Sequence, residues 1–374
     1  MRIATIFLLF QASQSFIPSK NKLKSQNFSS GNKLQDNCQA LYNIPTDLED
    51  FDALVSQASR ESPPASFFQL EQSSTRTAKL AIDQGERLIE VEFPPLPADV
   101  LDSEDVSAYD VAKANLRLAL DFGKYFSVEH EMETAILVPD EAELDIALED
   151  MQNNRPYPNL QINALLRKES DASGDQVREK GQLGFMEFLF GGNAGEVQPI
   201  PGTKLYIIIT ASAQELPDVE KLYEETRDDD ATICFYNMKL DILRGDLGAP
   251  AFPPKDLQDR FLSRVKPVYY LRTRQYSRSV SKPPFILNYQ GCLFRTYPGE
   301  FQTLLDTGTG EYRRVKSNKI RPALGEFKEE LTQALVTDGL IDEEGKVLGF
   351  LRTGYKTTTW WEEEREDASM EWRM

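Results

Sequence analysis

The sequence predicts an α/β fold, with a mostly parallel sheet flanked by helices and antiparallel strands added in the C-terminal third. Three observations carry this. Short apolar runs at 134–139 and 203–211 read as strands buried on both faces. Amphipathic segments with helical spacing stand between such runs. Beyond residue 255 the helical text gives way to aromatic and β-branched runs parted by Gly-containing turns, the mark of antiparallel pairing. The first two together describe a Rossmann-like alternation of strand and helix.

In chain order, residues 67–84 have apolar positions at helical spacing, and Gly85 precedes a strand over 87–93 that Pro94-Pro95 ends. A helix follows over 105–126, with Val106, Tyr109, Val111, Leu116, Leu120 and Phe122 marking its pattern. After the 134–139 strand comes a helix over 140–151. Residues 167–182 are polar with Gly and Ser, the composition of a solvated loop. The 203–211 strand leads to a helix over 216–227 and a strand over 231–237. A helix to about Arg264 is followed by strands at 268–272, 285–289, 292–297 and 312–315. Pro322 opens a last helix through Val336, as proline suits a first helical turn.

The 374 residues, 40% hydrophobic and 27% charged, can bury a sizeable core. A formal net charge of −18 argues against nucleic acid as a partner, because affinity for phosphate backbones comes from clustered Lys and Arg. The apolar run 3–10 is too short to span a bilayer. Cys38, Cys234 and Cys292 are too few and too scattered for a disulfide framework, and Cys234 and Cys292 sit in apolar runs as small core residues.

Residues 1–35 contain no Asp or Glu in an otherwise acidic chain. Met1-Arg2, the apolar run 3–10 and the small residues 11–15 resemble a secretory signal, and the basic, Ser- and Asn-rich stretch 19–33 resembles a transit peptide. The junction 12–18, with Phe16 after small residues, resembles that of bipartite presequences in algae with secondary red plastids. A plain secretory signal is the alternative. The expected organisation is a targeting presequence over 1–35, a linker over 36–65, a single α/β domain over 66–340 and a charged, mobile tail over 341–374. The expected location is the plastid, in the stroma or on the stromal face of the thylakoid.

Few residues are candidates for chemistry. His130 is the only histidine, which excludes a zinc site built on two histidines, and its charged surroundings read as a surface connection. The Gly-rich stretch 190–195 lacks the Lys-Ser/Thr of a phosphate loop and runs into prolines, so it reads as a turn. Asp140 follows a predicted parallel strand, where α/β sheets bind ligands, and an acidic cap on the next helix explains it as well. Asn237, Lys239, Arg244 and Asp246 form the densest polar stretch beyond a strand's C-terminal end, with a turn braced by an Arg pair as the structural alternative. No cofactor and no metal are implied.

The stretches 89–95, 115–119, 136–140, 235–240, 267–271 and 294–299 together resemble a plastid family of unknown biochemical activity that includes the low-photosystem-II-accumulation (LPA-type) assembly factors. Phe301 stands where family members commonly have Trp, and 167–182 looks like an insertion. The resemblance implies a non-enzymatic factor in photosystem II biogenesis, with plastid proteins such as photosystem II subunits or other assembly factors as partners and peripheral contact with the thylakoid. A related domain fused to plastid adenylate kinase leaves a nucleotide-binding or phosphotransfer protein as the alternative. Arg295 and Tyr297, held by the Pro298-Gly299 turn, join Asn237, Lys239, Arg244, Asp246 and Asp140 as the expected partner or ligand surface.

Overall fold

The computed structural model describes residues 48–101, 103, 105–151, 157–167, 196–279, 285–341, 358–363, 365–366 and 368–374. The expected presequence, Cys38, the loop expected beyond Arg167 and the Gly-rich stretch 190–195 lie outside the described residues. The main elements are α1 (Leu48–Ala58), α2 (Phe67–Asp83), β1 (Leu88–Glu92), α3 (Ala108–Lys124), β2 (Thr134–Val138), α4 (Glu141–Asp150), β3 (Leu160–Ala164) and β4 (Leu205–Ile208). They continue as α5 (Leu216–Thr226), β5 (Thr232–Tyr236), α6 (Leu240–Asp246), α7 (Asp256–Arg260), β6 (Lys266–Ser279), β7 (Ile286–Thr296), β8 (Phe301–Asp306), β9 (Tyr312–Asn318) and α8 (Leu324–Thr337). The expected fold class is borne out: mostly parallel strands flanked by helices, with antiparallel strands in the C-terminal part.

Residues expected to form one α/β domain divide between two compact units. The first unit takes the described residues among 1–85, 97–103 and 268–357, and the second takes those among 86–96, 104–267 and 358–374.

The second unit holds the parallel strands, in the order β1-β5-β4-β2-β3. Strands β1, β2, β4 and β5 are buried at every position, as strands covered on both faces must be. On one face Phe122 and Phe126, from α3 and the π-helical turn that follows it, pack with Tyr236 and Phe93 at ring-centroid distances of 4.9–5.5 Å. Tyr206, Ile208, Ile233 and Phe235 belong to a core shared with Val219, Leu222, Leu243 and Phe261. Two carboxylates of β1, Glu90 and Glu92, are buried within this otherwise apolar sheet.

The first unit holds the antiparallel ladder β6-β7-β8-β9. The two runs expected at 285–289 and 292–297 form the single strand β7, and α8 packs Phe327 and Leu331 against Tyr270, Leu293 and Phe301. Gly291 permits this packing, since a Cβ there would lie 2.7 Å from Leu331 Cδ2 and 2.9 Å from the Leu304 carbonyl oxygen. The 36–65 stretch expected as a linker contains α1, whose end docks on the turn after β7: the Thr296 hydroxyl donates to the Ala58 carbonyl at 3.2 Å, and the Glu300 N–H donates to Ser59 Oγ at 2.9 Å.

The C-terminal segment also departs from the sequence reading. Within the second unit Trp372 is buried, Trp360 packs against the core, and Arg365 pairs with Asp259 at 2.5 Å. Its charge density suggested a solvated tail, and its three tryptophans supply the apolar area that holds its described residues down.

Candidate functional site

The C-terminal ends of the parallel strands, where α/β sheets gather ligands, are built from residues in unusual backbone conformations. Thr210 after β4, and Asn237 and Lys239 after β5, have φ of 58°, 52° and 53°. Non-glycine residues adopt this left-handed region sparingly, and the surroundings must hold them there. Asn suits it best, and the Asn237 side chain earns its place twice: its Oδ1 accepts the Phe93 N–H at 2.8 Å, and its Nδ2 donates to Asn115 Oδ1 at 2.9 Å. One amide thus ties the ends of β1 and β5 to α3. Lys239 is held by its backbone, whose N–H donates to the buried Glu92 carboxylate at 2.9 Å. The expected turn beyond it is the short helix α6.

Arg244 corrects the expectation of a surface residue. Its guanidinium is fully buried, donating from Nε to Gln258 Oε1 at 3.0 Å, from Nη1 to Asp241 Oδ1 at 3.2 Å and from Nη2 to the Leu262 carbonyl at 3.4 Å. The Trp372 ring lies 5.0 Å from Cζ. The acidic partner is Asp241, one helical turn earlier, rather than Asp246. Asp246 is half-buried at the end of α6, and partial burial raises its carboxyl above the usual range.

Asp140 is the N-cap of α4, its Oδ1 accepting the Glu143 N–H at 3.0 Å. Burial, reinforced by the Asp140 charge, raises the Glu143 carboxyl above its ordinary value. His130 is half-buried at the end of the π-helical turn, its ring edge-on to Tyr125 at 4.8 Å.

Arg295 and Tyr297 belong to the other compact unit. Arg295 is buried; its Nε donates to the Gly299 carbonyl at 3.0 Å, and its Cζ lies 4.7 Å from the Phe301 ring centre. It braces the turn rather than facing solvent. Tyr297 is half-buried, with its hydroxyl donating to Gln84 Oε1 at 2.6 Å. Phe301, where a Trp was expected of the family, is the ring under Arg295.

Sequence reasoning missed Glu92, Asn115 and Gln258. Each is a buried polar residue on an otherwise apolar face, and that break in the pattern was the available signal. Among the described residues no group of three or more His, Cys, Asp or Glu side chains is placed to hold a metal ion. Burial, with the Glu90 charge adding to it, pushes the Cys234 thiol up, and burial does the same at Cys292.

No curated protein matches the chain. A family described as a domain of unknown function (DUF1995) matches residues 64–329, a span that takes in α2 through β9 and the start of α8 and leaves the tryptophan-bearing C-terminal segment outside. The chain belongs to the DUF1995 family.

Proposed function

We propose that this protein is a non-enzymatic plastid factor that acts by binding other proteins during photosystem II biogenesis. The observation that supports a binding role over chemistry is the use made of polar residues at the strand ends. Asn237, Glu92 and Asn115 are engaged with one another's elements, Asp140 caps a helix and Arg244 is sealed inside. These residues stiffen a frame on which exposed loops can present a partner surface. Lys239, Asp246 and Asp140 are the candidate contributors in the parallel unit, and Tyr297 is a separate candidate in the antiparallel one. The acid-free first 35 residues and the resemblance to LPA-type factors support the plastid destination and the process.

Affinity purification of the tagged protein from plastids of an alga with secondary plastids tests this. Photosystem II subunits or assembly factors are expected to copurify, with a mature N-terminus beyond residue 35. A protein retained in the secretory pathway overturns the location. Specific binding of ATP or AMP by the purified chain, measured by calorimetry, overturns the function in favour of a nucleotide-binding role.

A further inference from the structure

The stretch that forms the antiparallel ladder carries charge of the opposite sign to the rest of the chain. Residues 268–321 contain ten Lys and Arg against three Asp and Glu, a net of +7 within a chain of −18. Arg272, Arg274 and Arg278 alternate along one face of β6, with Tyr276 between them stacked on Tyr289 of β7 at 5.5 Å. The register sets Ile286 opposite Ser279, and β8 pairs with β7 only over 291–294, so the far part of the β6–β7 hairpin continues as a two-stranded ribbon. At that far end Phe285 and Ile286 are 58% and 59% exposed, Phe285 with φ of 62°. On the outer strand β9, Arg313, Arg314 and Lys316 are exposed, Arg313 pairing with Asp338 and Lys316 with Glu330.

A cationic ribbon that carries an exposed aromatic and aliphatic pair among its described residues has two needs, a dense anionic surface and an apolar layer beneath it. We infer that the β6–β7 hairpin docks on an anionic lipid bilayer, with Phe285 and Ile286 entering the boundary between headgroups and acyl chains while the arginines meet lipid phosphates. Nucleic acid supplies phosphates but no acyl layer to cover Ile286. The strongly acidic remainder of the chain is repelled by the same surface, so the attraction falls to the basic stretch. The inference stands apart from the identity of any protein partner.

Sedimentation of the full chain with phosphatidylcholine vesicles, with and without phosphatidylglycerol, tests it. The chain is expected to sediment with the anionic vesicles alone and to be released as salt rises. Phe285→Ser with Ile286→Ser, and separately Arg274→Gln with Arg278→Gln, are each expected to lower partitioning about tenfold at an unchanged melting temperature. Ile286→Ser alone, at an exposed position, gives a smaller loss and guards against misfolding of the double variants. Residues 1–35 are common to every sample, so differences among variants report on the hairpin. Equal binding to neutral vesicles, undiminished binding by folded variants, or retention on single-stranded RNA without vesicle binding overturns the proposal. Failure here leaves copurification of plastid proteins unaffected, and the reverse holds as well.

Discussion

Arg244 shows how one residue's environment decides its role. A guanidinium removed from water is tolerable only when its charge and donors are met, and here a carboxylate, an amide and a carbonyl meet them. Arg244→Ala strands Asp241 and Gln258 and leaves a cavity beside Trp372. It is expected to cost roughly 3 kcal/mol or more, read as a fall in the urea midpoint. Arg244→Lys is expected to rescue little, since an ammonium cannot reproduce the fork. Cys234 and Cys292 are fully buried, and their raised thiols hold no thiolate near neutral pH. In a Cys38→Ser background neither is expected to react with a thiol reagent at pH 8 until denaturant is added. Cys234→Ser is expected to cost roughly 1 to 3 kcal/mol by burying a hydroxyl, and a native reaction would show the strand to be open.

At the scale of elements, helix starts and strand turns carry the most local information. Ser107 and Asp110 form a reciprocal capping box at α3, and those hydrogen bonds from Ser107 hold the Asp110 carboxyl below its ordinary value. A depressed carboxyl contributes stability that is present above its ordinary value and lost as pH falls through the folded one. Asp110→Asn is therefore expected to flatten the pH dependence of stability below about pH 4 without altering its slope near neutrality, as urea titrations at stepped pH would read. Gly299 sits where the backbone of residues 58–59 closes on the β7–β8 turn; a Cβ there would lie 2.6 Å from the Ser59 N and 2.7 Å from the Ala58 carbonyl carbon. Since both are backbone atoms, Gly299→Ala is expected to displace the end of α1, seen as faster amide exchange of residues 58–61 and a lower melting temperature.

For the molecule as a whole, the C-terminal segment matters most. It lies beyond the family's matched span, yet Trp372 covers Arg244, Lys255 stands 4.7 Å over the Trp360 ring, and Trp361 borders Gly245. Trp372→Ala is expected to destabilise the parallel unit by about 3 kcal/mol, in line with other buried Trp truncations, and to raise its binding of a hydrophobic dye. A variant that melts like the parent would show the segment to be an ornament. The charge asymmetry belongs to this scale too: the net charge of −18 that argues against a nucleic-acid partner is a sum that conceals a basic stretch of +7 over 268–321.

The sequence by itself determined the fold class and most of the elements, because a strand buried on both faces must be apolar throughout and a surface helix must repeat every 3.6 residues. It missed β3, whose partial burial at the end of the parallel order admits Gln161 and Asn163. It also missed β8, which follows the Pro298-Gly299 turn without a pattern of its own, and α6, too short for periodicity to register. The polar candidates at 237–246 were legible as a dense cluster, but their roles were not. Whether Asn237 presents its amide to a ligand or spends it on Phe93 and Asn115, whether Arg244 faces solvent or Trp372, and whether a charged tail floats or packs all depend on residues more than 100 positions away. Only the tertiary structure decided those questions, because desolvation and hydrogen-bond geometry are properties of neighbours in space and leave no periodic trace along the chain.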